Sequence, residues 1–293
     1  MNRFEYVTPK TIPEAVELLR GKGHVRAKAG GTDLVSLMKD RIIAPERLVN
    51  LQGLNLREIT VNSSVRIGAL ATLDEVARHP ELAKSCTALS VAAAESGPQQ
   101  ILNMGTVGGN LCQRSRCWYF RNDAFHCRKK GGFSCLARSG ENRQHSIFAN
   151  ALCCSVHPSN LGTALVALDG SVEIVGSDGR RKVSAIELFD TGDDPMREHS
   201  LKKGEIISGI VLTPGWKSVY LEVLERQSFD WPLVSIARAE RNGVARTVFG
   251  GVAPRPWLVR ENEIFSGIRT LSRNGYKKKL METLFERAKK ALH

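Results

Sequence analysis

The chain has 293 residues, 42% of them hydrophobic and 25% charged, which suits one large or two medium domains with buried cores and excludes a fibrous or disordered protein. No apolar run approaches the ~20 residues that span a bilayer, and the N-terminal stretch lacks a continuous apolar h-region, so no membrane insertion and no signal peptide are expected and the cytoplasm is the default compartment. The net charge of +12 comes from basic residues spread along the chain, with no zinc-finger spacing, so nucleic-acid binding is not expected.

Thr11 predicts an N-cap for an early helix, with Pro13 in its first turn, Val16, Leu18 and Leu19 as its apolar face, and Gly21 and Gly23 as its end. Residues 25–29 read as a short strand that runs into Gly30 and Gly31, and residues 32–38 as the start of a helix capped by Thr32 or Asp33. This strand–glycine turn–helix unit puts backbone N–H groups at a helix start, where an anion binds well, although it lacks the Rossmann glycine spacing. Residues 47–51 and 64–69 read as strands, Thr72 opens a helix, and residues 89–95 continue as helix. A second glycine stretch follows at 103–111 (NMGTVGGNL), and adjacent glycines there again let backbone approach a diphosphate.

Residues 112–155 show little periodicity and read as an irregular insertion held by its ligands. Six of the seven cysteines lie there, at 112, 117, 127, 135, 153 and 154, while Cys86 stands alone. Such clustering favours a metal or cluster site over scattered core thiols. The same segment carries Arg114, Arg116, Arg121, Arg128, Lys129, Lys130, Arg138 and Arg143, which would dock an acidic partner, offset a thiolate-bound cluster or simply face solvent. Beyond it, residues 160–168 read as helix and 170–175 as strand. A second unit is expected from about 177, with strands at 206–212, 219–224, 234–240 and 244–250 and a basic amphipathic helix at 277–292.

These stretches resemble the FAD-binding medium subunits of the molybdenum hydroxylases, the group of xanthine dehydrogenase, carbon monoxide dehydrogenase and aldehyde oxidoreductase. The resemblance rests on AGGTDL (29–34), IGALATLDEV (67–76), QQILNMGTVGGNL (99–111) and HPSNLGTALVALD (157–169), and continues more weakly through SFDWPLVSIA (228–237) and GGVAPRPW (250–257). It implies an α+β fold: a two-part FAD-binding domain of the PCMH type over 1–176, with subdomains of about 1–58 and 59–176 and an iron–sulfur insertion at about 112–155. A smaller α+β domain of the carbon monoxide dehydrogenase flavoprotein type, with an antiparallel sheet, would follow over 177–293. FAD would be held by Lys28, Ala29, Gly30, Gly31, Thr32, Asp33, Leu34, Thr106, Gly108, Gly109, Asn110 and Asn160, with Thr32 and Thr106 as hydroxyl donors to phosphate. The family often has Asp where Asn160 stands, and an amide both donates and accepts where a carboxylate only accepts.

The cysteine segment resembles the insertion of the 4-hydroxybenzoyl-CoA reductase medium subunit, which holds a [4Fe-4S] cluster. It matches at Cys117, Cys127, Cys135 and Cys153, a C-x9-C-x7-C-x17-C spacing. Cys154 rivals Cys153 as fourth ligand, and zinc is the chemical rival of the cluster. His126, His145 and His157 need not be ligands. Trp118, Tyr119 and Phe120 are expected to pack around the cluster, and Trp231 to approach the flavin ring or join the core. The implied role is electron transfer between a [2Fe-2S] small subunit, FAD and an external acceptor or donor, with substrate chemistry on a molybdopterin-binding large subunit. No general acid or base is assigned. The alternatives are a stand-alone flavoprotein reductase and a zinc-stabilised, non-enzymatic assembly module.

Overall fold

The computed structural model describes residues 1–192, 194–226 and 230–292. Three short strands, β1 (Glu5–Val7), β2 (Val25–Lys28) and β3 (Arg47–Asn50), form a parallel sheet in the order β1-β3-β2. Helix α1 (Ile12–Arg20) connects β1 to β2: Thr11 accepts a capping bond from Glu14, and Gly21 follows the last turn. Its Ala15 and Leu19 pack with Val25, Val49, Leu51 and Leu54 into a small core of its own.

A five-stranded antiparallel sheet follows, in the order β4-β5-β8-β6-β7, built from β4 (Ile59–Val61), β5 (Val65–Gly68), β6 (Ser171–Gly176), β7 (Gly179–Ser184) and β8 (Ile206–Leu212). Strands β7 and β8 lie beyond the 176/177 division expected from sequence, yet they pair with β6 and β5. The chain leaves this sheet only after Leu212. Six helices lie against or between the sheets: α2 (Leu34–Lys39), α3 (Leu73–Arg78), α4 (Pro80–Ser85), α5 (Thr87–Ala94), α6 (Gln99–Leu102) and α7 (Val107–Leu111). Thr72 and Glu75 form a reciprocal capping box at the start of α3.

The last sheet is antiparallel, β12-β11-β10-β9, from β9 (Lys217–Val223), β10 (Val234–Arg241), β11 (Val244–Gly250) and β12 (Trp257–Val259). Two more helices, α8 (Asn160–Ala167) and α9 (Ala185–Leu188), precede it, and α10 (Tyr276–Leu292) closes the chain. Alternation along β10 sorts its residues between two layers. Val234 and Ile236 face Met281, Leu284 and Ala288 of α10, whereas Ala237 and Ala239 share the main core with Leu161, Ala164 and Leu165 of α8. Every residue of α8 is buried, because the helix lies between this sheet and α5. Its sequence is therefore small and apolar around a polar start.

The segment 112–155 contains only two single turns of 3-10 helix, at Arg128–Lys130 and Leu136–Arg138, as its lack of periodicity predicts. Side chains satisfy its backbone instead. Asn142, fully buried, donates to the carbonyls of Ala137 and Gly140, and the hydroxyl of Tyr119 accepts from the N–H of Glu141 at 2.7 Å.

Candidate functional site

The two glycine stretches meet backbone to backbone. A Cβ on Gly30 would lie 1.8 Å from the carbonyl oxygen of Met104, so only glycine lets the loops touch. Gly31 has φ +78°, which turns the chain from β2 into α2. The second loop docks on residues 69–73 through bonds from Leu73 to Gly105, Val107 to Ala71 and Gly108 to Ala69, at 2.8–2.9 Å. Thr106 caps α7 by accepting from Gly109 at 3.1 Å. The run IGALATL is thus the docking rail for the second loop, and only its last residue, Leu73, also reaches a cavity beside that loop.

The loops differ in the donors they offer. In the second, the N–H groups of Val107, Gly108, Gly109 and Asn110 all have acceptors within the chain. In the first, those of Gly31, Thr32 and Asp33 donate to no described residue. Consecutive unpartnered donors at a turn suit an anion such as a diphosphate.

Three adjoining cavities run from this turn. The largest, about 480 Å³, is lined by all of Lys28 to Leu34, by Thr106 and Gly109, and by residues 196–199 and 201–205, with Arg26, Lys28, Arg114, Arg197, Lys202 and Lys203 as its cations. The next, about 110 Å³, shares Thr32, Asp33 and Gly109 with it and adds Asn110 and Asn160. The third, about 40 Å³, shares Arg116, Asn160 and Trp231 with the second and is also lined by Cys117, Trp118, His145 and His157. A Cβ on Gly109 would meet only Thr106 Oγ1, at 3.0 Å, so its bare backbone forms the cavity wall. Gly108, in contrast, packs against Ala69 Cβ at 3.1 Å and lines none of these spaces. Free donors, cationic lining and an elongated trough fit a dinucleotide with a charged middle.

Two acidic residues of the trough tie it to the cysteine segment. Asp33 holds Arg116 at 2.8 Å, Arg121 at 2.6 Å and the N–H of Arg114 at 2.8 Å. Its carboxylate is therefore committed to the insertion, and it does not cap α2. Glu198 holds Arg114 at 2.6 Å and Lys129 at 3.0 Å, with both the Glu198 and Lys129 side chains about 5% exposed or less. Burial alone would raise the Glu198 carboxyl, but Lys129 and Arg114 hold it below the usual range. Nothing in the sequence singled out Glu198; it is one acid in a loop, and only the fold sets it opposite two cations.

Around the two smaller cavities, Ser159 caps α8 and donates to Asn110 at 2.6 Å, so HPSN and the second glycine loop are joined. Trp231 is 44% exposed and carries Arg116 over its ring at 4.3 Å, which makes it a chamber wall rather than a core residue. The first two residues of the SFDW stretch, Ser228 and Phe229, lie outside the described residues. Glu222, which the sequence did not mark, stands behind Asn160, and burial pushes its carboxyl up to about 7.

Cys117, Cys127, Cys135 and Cys153 line one small cavity of about 10 Å³, which Tyr119, Phe120, Leu136 and Ala137 also line. Trp118 lies outside it, edge-on to His145 in the neighbouring chamber. Cys154 does not line this cavity, yet it stays beside it: its thiol donates to the carbonyl of Asn150 at 3.6 Å, its N–H points to Cys135 Sγ at 3.4 Å, and a hydrogen bond between the two thiols lowers the Cys154 thiol. Cys112 lines the large trough and Cys86 is buried in the main core. His145 Nε2 lies 3.1 Å from Cys117 Sγ, whereas His126 is exposed and His157 packs on Phe189. Burial pushes the Cys117 thiol up to about 12, and a hydrogen bond with Cys135 followed by burial raises Cys153. Metal uptake would therefore release protons.

Among the described residues, no three side chains of His, Cys, Asp or Glu are placed to hold one metal ion. A single zinc needs its four sulfurs ~2.3 Å from one centre. A cubane takes one thiolate on each iron, so its ligands surround a wider space. The space among the four cysteines, about 10 Å³, is the size of a single water, so as they stand they enclose less room than a cubane takes. No helix among the described residues is long and apolar enough to cross a membrane.

Residues 2–214 match the family described as the FAD binding domain in molybdopterin dehydrogenase. The aldehyde oxidoreductase FAD-binding subunit PaoB of Escherichia coli is 34% identical over 268 residues, 88% of this chain and 84% of that protein. The carbon monoxide dehydrogenase medium chain of Hydrogenophaga pseudoflava is 36% identical over 262 residues, 86% of this chain and 76% of that one. In fold, the chain superposes on a chain of Cu,Mo-CO dehydrogenase with a TM-score of 0.74 at 21% identity, covering 99% of this chain and 97% of the other. A chain of quinoline 2-oxidoreductase from Pseudomonas putida 86 gives 0.71 at 20% identity, covering 100% and 99%. The chain belongs to the FAD-binding subunits of the molybdenum hydroxylase family of oxidoreductases.

Proposed function

We propose that this chain is the electron-transfer flavoprotein subunit of a molybdenum-containing hydroxylase or dehydrogenase, working in the cytoplasm. One FAD would lie along the trough, its diphosphate at the free N–H groups of Gly31, Thr32 and Asp33 and its ring toward Asn160 and Trp231. The thiolates of Cys117, Cys127, Cys135 and Cys153 would hold a [4Fe-4S] cluster. FAD and cluster, when bound, supply an exchange between one- and two-electron carriers. The chain's own residues bind and orient. Lys28 and the cations of the trough balance the diphosphate. Tyr119 and Phe120 exclude water from the cysteine cavity. Lys129 offsets thiolate charge while Glu198 fixes its position.

One observation carries this reading: the cavities adjoin in series, and Cys117 lines both the cysteine cavity and the chamber beside Asn160. Holding a cluster requires the four cysteines to part from their present close packing, since the space among them is about 10 Å³. The similar proteins are named as medium chains or FAD-binding subunits. A [2Fe-2S] small subunit, a molybdopterin-binding large subunit and an external acceptor or donor are the proposed partners.

Anaerobic purification with flavin, iron and zinc quantification tests the assignment. One flavin and about four irons per chain are expected for the proposed cofactors. A colourless chain with one zinc points instead to the assembly module, and a stable active monomer to a stand-alone reductase.

A further inference from the structure

Strand β9 presents Tyr220 and Glu222 on one face, two residues apart. The Tyr220 hydroxyl, on a buried ring, donates to Glu222 Oε2 at 3.0 Å. The same oxygen accepts from Asn160 Nδ2 at 3.3 Å, and that amide also donates to the carbonyl of Glu95 at 3.3 Å. Two acceptors on one side of the amide dictate that its NH₂ lies there. Asn160 Oδ1 is left without a hydrogen bond to any described residue, on a side chain that lines both smaller cavities. Glu222 Oε1 is buried and has no partner among the described residues. The groups that face Glu222 are Tyr220 on its own strand, Glu95 at the end of α5 and Asn160 on α8, while Ser235 of β10 reaches Tyr220. None of them is a cation.

We propose that Glu222 is a positioning residue of the ligand chamber: it holds the Asn160 amide with its carbonyl oxygen free to accept from a ligand N–H or O–H, and it makes position 160 selective for an amide over a carboxylate. The proposal rests on the reading that this chamber takes part of the FAD. A carboxylate at 160 would face the carbonyl of Glu95 and a second carboxylate, while Arg116, the cation that lines the same two chambers, is already held by Asp33 at 2.8 Å. Burial sets the Glu222 carboxyl at about 7. A carboxylate in place of Asn160 raises this titration further: while the pair keeps one proton, Glu222 can donate to the ionised Asp, and once that proton is lost the two anions repel. The penalty of Asn160→Asp therefore grows with pH, and Glu222→Gln, whose amide can donate, removes it.

The experiment uses the full chain as wild type, Asn160→Asp, Glu222→Gln and the double variant. Melting temperatures of the flavin-free proteins are compared at about pH 6 and about pH 9. FAD dissociation constants are then measured by quenching of flavin fluorescence. Asn160→Asp should melt about 2–4 °C below wild type at the higher pH and close most of that gap at the lower one. Its FAD binding should weaken about tenfold at the higher pH, and the double variant should return to within about threefold of wild type. Equal melting and affinity for wild type and Asn160→Asp would overturn the proposal, as would a penalty that persists in the double variant. A wild type that takes no FAD refutes the flavin reading of the chamber; the melting comparison, which needs no flavin, then decides the role of Glu222 by itself.

Discussion

Removing the Asp33 carboxylate should uncouple the insertion from the dinucleotide trough. In Asp33→Ala, Arg116 and Arg121 lose a partner at 2.8 and 2.6 Å, and the N–H of Arg114 loses its acceptor. The Asp33 side chain is 14% exposed and those of the two arginines 22% and 13%, so the cations are left mostly buried. Breaking one partner from a fully buried pair costs ~3–5 kcal/mol. The partial exposure here and the remaining bonds of Arg121 to the carbonyls of Ser115 and Arg114 reduce this to about 2–4 kcal/mol. A loss of that size lowers the melting temperature by about 4–10 °C in a chain of this length. The effect should reach both cofactors, because Asp33 is in the glycine turn and its arginines flank Cys117. Differential scanning fluorimetry, with flavin and iron counted after gel filtration, measures all three. Unchanged melting together with full flavin and iron retention would refute the clasp. The clasp also ties the first glycine loop to the insertion if the cysteine site is lost. With three insertion donors on Asp33, the two regions should weaken together.

Gly109→Val places side-chain bulk in the trough wall, where a Cβ meets only Thr106 Oγ1 at 3.0 Å. It should reduce FAD affinity at least about tenfold with little loss of fold, whereas Gly108→Asp should destabilise the docked loop against Ala69; a Gly109→Val protein with wild-type affinity, by titration with FAD, counts against the trough. Serine at Cys117, Cys127, Cys135 or Cys153 should lower iron content and the low-temperature EPR signal of the reduced protein, while Cys154→Ser retains both; the reverse result for 153 and 154 would move the fourth ligand. His157 and His199 are both held neutral by burial, at about 3 and about 4. Their folded values lie below the unfolded one, so the unfolded chain binds more protons and stability should be lost as pH falls from about 6.5 toward 4. His157→Phe should flatten that loss in urea unfolding measured across the window, and an unchanged slope would remove His157 from the account.

Local chemistry was readable from the chain alone. Thr11 and Thr72 cap helices because a hydroxyl followed by free N–H groups does so wherever it occurs, whereas the cap that Thr106 makes on α7 was not foreseen. Alternation marked β8, β9, β10 and β11, and the aperiodic run at 112–155 proved irregular. The glycine pairs announced a close backbone approach. What they approach required the fold: Gly30 serves contact between the two loops, Gly108 serves packing on Ala69, and Gly109 alone faces open space. Strand partners also needed the fold: the sequence grouped residues 206–212 with the strands that follow, and pairing with β5 and β6 sets them in the five-stranded sheet, because an apolar run carries no mark of its partner. The same limit hid Glu198 and Glu222. A single acidic residue carries no periodic signal, and its meaning comes from groups 60 to 85 positions away, such as Arg114, Lys129 and Asn160. Sequence distinguishes residue types and their spacing along one dimension. Whether a carboxylate meets two cations or an unpaired amide is decided by burial and by chain segments that only tertiary packing brings together.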